Sequence, residues 1–212
     1  MEKMSIFLLK KQPEVAIGEQ KNLLAGLTPK PLELFALVVR RVLLERPIDT
    51  EALRKAFGGE PDLINRYMSD IYKVLFPNEL ALRSKQSLQQ CIEQADIDVK
   101  RFDALTKSLI SSVQAEQAEA ILEEGVHLYA KGLLWGINQS WAEEFQGYYR
   151  KKYHTLWENV ATILRSAKNQ KEISEMVDKA LEYHPDPASE THQYLEKVRA
   201  ESQYLRQKIG VL

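Results

Sequence analysis

Asn65, Arg66, Ser69 and Lys73 follow one another at spacings of one, three and four residues. On a helix Arg66 and Lys73 stand two turns apart and emerge on one face. Asn65 and Arg66 offer an amide and a guanidinium, each able to make two-pronged hydrogen bonds to a base edge. Ser69 and Lys73 suit phosphate oxygens, as do Arg83 and Lys85 further along, in the polar stretch Arg83-Ser84-Lys85-Gln86-Ser87. These six residues are the candidate contacts to double-stranded DNA. If Arg66, Lys73, Arg83 and Lys85 each met one phosphate, log affinity would fall against log salt with a slope of about −3.6. Asp62, Asp70 and Glu79 add negative charge to the same region, and Asp70 lies four residues after Arg66, the spacing at which helical side chains pair.

Catalytic chemistry has little to stand on. His127, His154, His184 and His192 include no i, i+4 pair, and no HExxH motif occurs. The chain contains no Walker sequence, no GxGxxG and no GxSxG. Cys91 is the single cysteine, so a cysteine-cluster zinc site and an intrachain disulfide are excluded; it reads as a small core residue. The expectation is a non-enzyme with no cofactor and no metal.

A second constellation is aromatic. Trp135, Trp141, Tyr148, Tyr149, Tyr153 and Trp157 fall within 23 residues. Trp141 and Trp157 read as core. Tyr148 and Tyr149 are adjacent and so point to different faces of a helix, one of them outward. Trp135, Tyr148 and Tyr149 are the candidate partner-binding residues.

These side chains need elements to carry them. The 212 residues are 44% hydrophobic and 28% charged, close to the average soluble protein. Gly and Pro together number 17, too few for a loop-rich or all-β chain. Lys plus Arg is 29 and Asp plus Glu 30, so no strongly basic nucleic-acid binder is indicated. No run approaches 18 apolar residues, and Ile6-Phe7-Leu8-Leu9 is too short for a signal-peptide core. A cytoplasmic protein without membrane contact is expected.

Residues 6–17 read as one or two short strands, broken at Pro13 and Gly18. Thr28-Pro29 opens a helix to Leu44. Asp49 or Thr50 caps a second, 51–57, which Gly58-Gly59 ends, and Asp62 caps a third through Phe76. Residues 80–88 read as two short strands around a polar tip. From Asp98 the pattern is helical throughout: Phe102, Leu105, Leu109 and Ile110 on one face, then Ala118, Leu122, Gly125 and Tyr129. Further helices span 140–166, 171–183 and 189–209. The switch near Asp98 predicts two domains, 1–97 and 98–212, carrying net charges of +1 and −2.

Strands, three helices and a polar-tipped hairpin are the order of a winged helix-turn-helix, whose third helix enters the major groove. Leu27-Thr28-Pro29-Lys30 with Glu33-Leu34, and Pro47-Ile48-Asp49 before Glu51-Ala52-Leu53, resemble the winged-helix domains of bacterial response regulators. In the second half, placing Pro185 at position 32 of a 34-residue tetratricopeptide repeat (TPR) puts Trp157 at 4, Ala161 at 8 and Ala180 at 27, with Ile173 at 20 larger than the pattern wants. Asp98-Val99-Lys100-Arg101-Phe102, Leu128-Tyr129, Gly132-Leu133-Leu134 and Trp141-Ala142 resemble the bacterial transcriptional activator domain. Over roughly residues 20 to 190 the layout is similar to the antibiotic regulatory protein (SARP) family of transcription activators. The family's third helix usually ends in a run like Leu-Arg-x-Lys-Leu; here the run is Ile71-Tyr72-Lys73-Val74-Leu75, with Tyr72 and Val74 in place of the cations.

The resemblance implies a mainly α protein: an N-terminal winged helix-turn-helix followed by an α-helical, TPR-like domain. The function it implies is a DNA-binding transcription regulator whose helical half mediates dimerisation, as a homodimer, or contact with a protein partner. The alternative is a protein-interaction adaptor with a winged helix that no longer binds DNA.

Overall fold

Met4, Ile6 and Val15 are buried, and they alternate with half-exposed neighbours along two short strands. In the computed structural model, which describes residues 3–109, 114–130, 132–166 and 170–209, β1 (Met4–Phe7) pairs antiparallel with β2 (Glu14–Ile17), Ile6 opposite Val15. A two-residue strand, β3 (Asp96–Ile97), joins the other edge of β1 in parallel, giving the order β2-β1-β3. The chain divides into two compact units, residues 1–100 with 133–146, and residues 101–132 with 147–212. The first crossing falls three residues past the expected boundary at 97, and segment 133–146 joins the first unit rather than the second.

The first unit is built on α1 (Pro29–Leu43), which buries Leu34 to Val39 without a break and is therefore its central helix. Thr28 occupies the N-cap in extended conformation, but its hydroxyl makes no capping bond. α2 (Thr50–Phe57) is capped by Asp49, whose carboxylate accepts from the Ala52 amide at 2.9 Å. Gly58 and Gly59, at φ +80° and +98°, stop it in a conformation that favours glycine. α3 runs from Pro61 to Leu75; Glu60, not Asp62, is its N-cap residue, and Asp62 sits in the first turn.

Residues 80–88 are helical, not a hairpin. A 3-10 turn covers Leu80–Leu82, and α4 (Lys85–Gln94) follows directly. Ser84 caps α4 through its side chain, accepting from the Ser87 amide at 3.1 Å. Leu88, Cys91 and Ile92, at spacings of three and one, bury the inner face. The segment holds no β-branched residue before Ile92 and no Gly or Asn to turn a hairpin tip.

The second unit is helical among its described residues: most of α5 (Asp98–Ser108), α6 (Ala115–Tyr129), the larger part of α7 (Ser140–Ser166), α8 (Gln170–Tyr183) and α9 (Glu190–Ile209). Ile110, expected on the face of α5, lies outside the described residues. Phe102, Tyr153 and Trp157 are fully buried; Tyr129 stacks on Tyr153 at 4.5 Å between ring centres, and Trp157 meets Tyr153 edge-on. Ala161 and Ala180 are buried, and α8 packs along α9. The molecule is mainly helical, and no helix among the described residues is long and apolar enough to cross a membrane.

Candidate functional site

α3 turns Ile64, Met68, Ile71, Tyr72 and Leu75 inward, where they pack toward α1, α2 and the 3-10 turn at Leu23–Gly26. Leu63 is 38% exposed, because the buried row is i, i+4, i+7, i+8 from Ile64. The outer face carries Asn65, Arg66 and Lys73 exposed and Ser69 half-buried. Four of the six expected DNA contacts therefore share a helix surface. Their charge is balanced locally. The Asp70 carboxylate pairs with Lys73 at 3.2 Å rather than with Arg66, and Asp62 is exposed one turn before Arg66.

The other two cations face the protein itself. The Arg83 guanidinium donates to the Phe76 carbonyl at 3.0 Å and to the Pro77 carbonyl at 2.7 Å. A positive side chain there satisfies carbonyls at the C-terminal end of α3, where the helix dipole is negative. Lys85 donates to the Thr50 hydroxyl at the start of α2. Both residues stand on the 3-10 turn and the first turn of α4, so no projecting strand pair carries them outward.

The first unit also holds a clamp that sequence spacing did not single out. The Asp98 carboxylate accepts from the Leu8 amide at 2.9 Å and from the Leu9 amide at 2.8 Å, tying the end of β1 to the first residue of α5. Burial pushes its pKa up to about 6, against the opposing pull of these amides, of the Val99 amide and of Lys10. The available signal was the alternation Asp96-Ile97-Asp98, two acids around one apolar residue, a spacing with no motif attached. Cys91 is buried, and burial with Glu79 nearby raises its thiol.

Trp135 belongs to the first unit, Tyr148 and Tyr149 to the second. Trp135 is 56% exposed on the segment that returns to the first unit, with the Lys11 ammonium 4.7 Å from its ring centre. Leu134 beside it holds φ +47°, and its amide bonds the Leu8 carbonyl at 3.0 Å. In the second unit Tyr148 is 53% exposed under the Lys152 ammonium, whereas Tyr149 is buried and its hydroxyl donates to Asp103 at 3.0 Å. Lys152 reaches the same carboxylate. Tyr149 is thus held inside the fold, and Tyr148 is the outward one of the pair. Trp141 and Trp157 are both core.

The histidines lie in the second unit, and three of them are neighbours. The ring of His192 bonds the His184 carbonyl at 2.7 Å, and His154 stacks on Tyr194 at 4.2 Å. Burial, with His154 and His192 adding to it, lowers His184 to about 4. No group of three or more His, Cys, Asp or Glu side chains among the described residues is arranged to hold a metal ion.

Comparisons with protein-family models, with curated proteins and with solved structures found no match to this chain.

Proposed function

We propose that the chain is a protein-interaction adaptor, a helix-turn-helix-like unit with α4 where the wing was expected and without DNA contact, joined to a TPR-like helical scaffold. The observation that carries this reading is the position of Arg83, whose guanidinium closes the carbonyl end of α3. In the SARP-like reading that side chain and Lys85 belong to a wing gripping phosphates. With Arg83 and Lys85 directed inward and Lys73 paired with Asp70, Arg66 is the one cation of the four with no recorded protein partner among the described residues. One phosphate contact gives a salt slope of only about −0.9 and little affinity at moderate salt.

The TPR-like part rests on register. Trp157, Ala161 and Ala180 are buried at the positions where the repeat wants large and small packing residues, and Ile173 is buried too. Exposed Trp135 and Tyr148 are the kind of rigid aromatic anchor that dominates protein contacts.

Fluorescence anisotropy with a labelled mixed-sequence duplex, at low and moderate salt, tests the reading. The expected result is binding that vanishes at moderate salt and is unchanged in Arg83→Ala. A slope approaching −3.6, with Arg66→Ala and Lys73→Ala each weakening the complex, would restore the DNA-binding regulator.

A further inference from the structure

α6 and α8 lie side by side in the second unit, and two adjoining depressions of about 350 and 280 Å³ run between them. They share Glu123, Met176 and Lys179, so they form one groove. The rims are acidic on both sides. α6 contributes Glu116, Glu119 and Glu123, spaced by three and four residues, which sets them in one row along the helix. α8 contributes Glu172, Glu175 and, further along, Glu182. Lys179 is the one cation lining the groove among the described residues, and it crosses to Glu123 at 3.3 Å.

The floor differs in kind from the rims. The apolar lining is buried Val126, half-buried Met176 and exposed Ala120, with half-exposed Tyr183 at one end. A small residue beside a flexible thioether leaves room for an inserted apolar side chain. From Glu172 to Glu182 the groove follows about 15 Å of helix, the length of roughly ten helical residues. The carboxylates are strung along this length, and no three of them gather around a point where a cation would sit.

We infer that this groove docks a basic amphipathic helix of a partner protein, with apolar side chains on the floor and Lys or Arg side chains along the two glutamate rows. Charge complementarity selects the partner. Two acidic rows repel nucleic acid and acidic peptides, and an apolar floor gains nothing from a purely hydrophilic polycation. The adaptor reading underlies this inference, which adds to it a surface and a partner chemistry.

The test uses the full chain and a labelled peptide of about three helical turns with leucines on one face and lysines flanking them. Anisotropy should show saturable binding that weakens with salt. Glu116→Lys with Glu172→Lys should reduce affinity about tenfold, since two attractive surface charges become repulsive. Lys179→Gln, which removes the bridging cation, should raise it about two- to fivefold, a gain that misfolding cannot imitate. A peptide with glutamates for lysines should bind the double variant better than the original chain. The inference is overturned if Lys179→Gln gives no gain, or if a peptide with serines for leucines, or spermidine, competes equally well, since the groove then merely attracts positive charge. The duplex titration is run on the unsubstituted chain, so the charge added by the Glu→Lys changes does not enter it. A failed peptide experiment beside absent DNA binding therefore overturns the groove and leaves the adaptor reading, whereas strong duplex binding overturns the adaptor.

Discussion

The two units use ionic side chains in opposite ways. In the first, charged groups satisfy the backbone: Arg83 on the carbonyls after α3, Asp98 on the amides of Leu8 and Leu9, and Arg41 on the Pro47 carbonyl. In the second, a nested aromatic core around Tyr153 and Trp157 holds the helices, and the glutamates of α6 and α8 line an open groove. A charge bonded to its own backbone orders the fold and is withdrawn from recognition. In the groove the paired carboxylates, Glu123 with Lys179 and Glu175 with Lys171, meet side chains on the surface instead of backbone. Arginines in the first half are therefore a poor guide to binding, although the motif order there favours it.

The contrast can be broken first at the aromatic core. Trp157→Ala removes a fully buried ring and should destabilise the second unit by about 3–5 kcal/mol, read by thermal denaturation. If the loss is small, packing is not what holds that unit. Next is the clamp. Asp98→Ala leaves two amides without their acceptor and should cost about 1–3 kcal/mol, seen as faster amide exchange at Leu8 and Leu9.

The same clamp gives the first unit a pH signature. Asp98 titrates near 6 when folded, above its ordinary 3.8, so the folded state takes up a proton first as pH falls. Its contribution is fully present below about 4 and is lost as pH rises through about 6. His184 works the other way. Lowered to about 4 from 6.5, it stays neutral in the fold, so its contribution is present above 6.5 and is lost as pH falls toward 4. Between these limits, amide exchange should show the first unit gaining protection on acidification while the second loses it. Asp98→Asn and His184→Gln should flatten the respective trends.

Smaller effects sharpen the comparison. Arg83→Ala should destabilise the first unit by about 1 kcal/mol, through the orphaned carbonyls after α3. Lys73→Ala should change stability by less than about 0.5 kcal/mol, since its pair with Asp70 is exposed. An equal cost for both would mean that Arg83 is no more structural than an ordinary surface cation.

Much of the helical layout is legible in local chemistry. Asp49 caps α2 where expected, Gly58-Gly59 ends it, and the spans 140–166 and 171–183 agree with the observed helices to within a residue. These features depend on neighbours in sequence. Residues 80–88 did not yield to the same reading. Apolar Leu80-Ala81-Leu82 and Leu88 on either side of a polar run read as strands around a tip, yet Ser84 capping and the Leu88–Cys91–Ile92 spacing favour α4. The inward turn of Arg83 was hidden for a different reason. Its acceptors are backbone carbonyls, which every residue carries, so no side-chain motif announces them. Asp98 is invisible on the same grounds. The opposed glutamate rows were legible one helix at a time, as Glu116-x2-Glu119-x3-Glu123 and Glu172-x2-Glu175, but their facing each other is a tertiary fact.

Segment 133–146 has a consequence for synthesis. It supplies Leu133, Leu134, Ile137, Trp141 and Ala142 as buried residues of a unit whose other hundred residues come first in the chain. A ribosome that has released those hundred residues has released an unfinished fold, and α6 must be made before the missing piece arrives. A gene fragment ending at residue 100 should accordingly yield a protein with exposed apolar surface and poor solubility, whereas a shortened gene that keeps residues 133–146, joined to residue 100 by a flexible linker, should express in the soluble fraction.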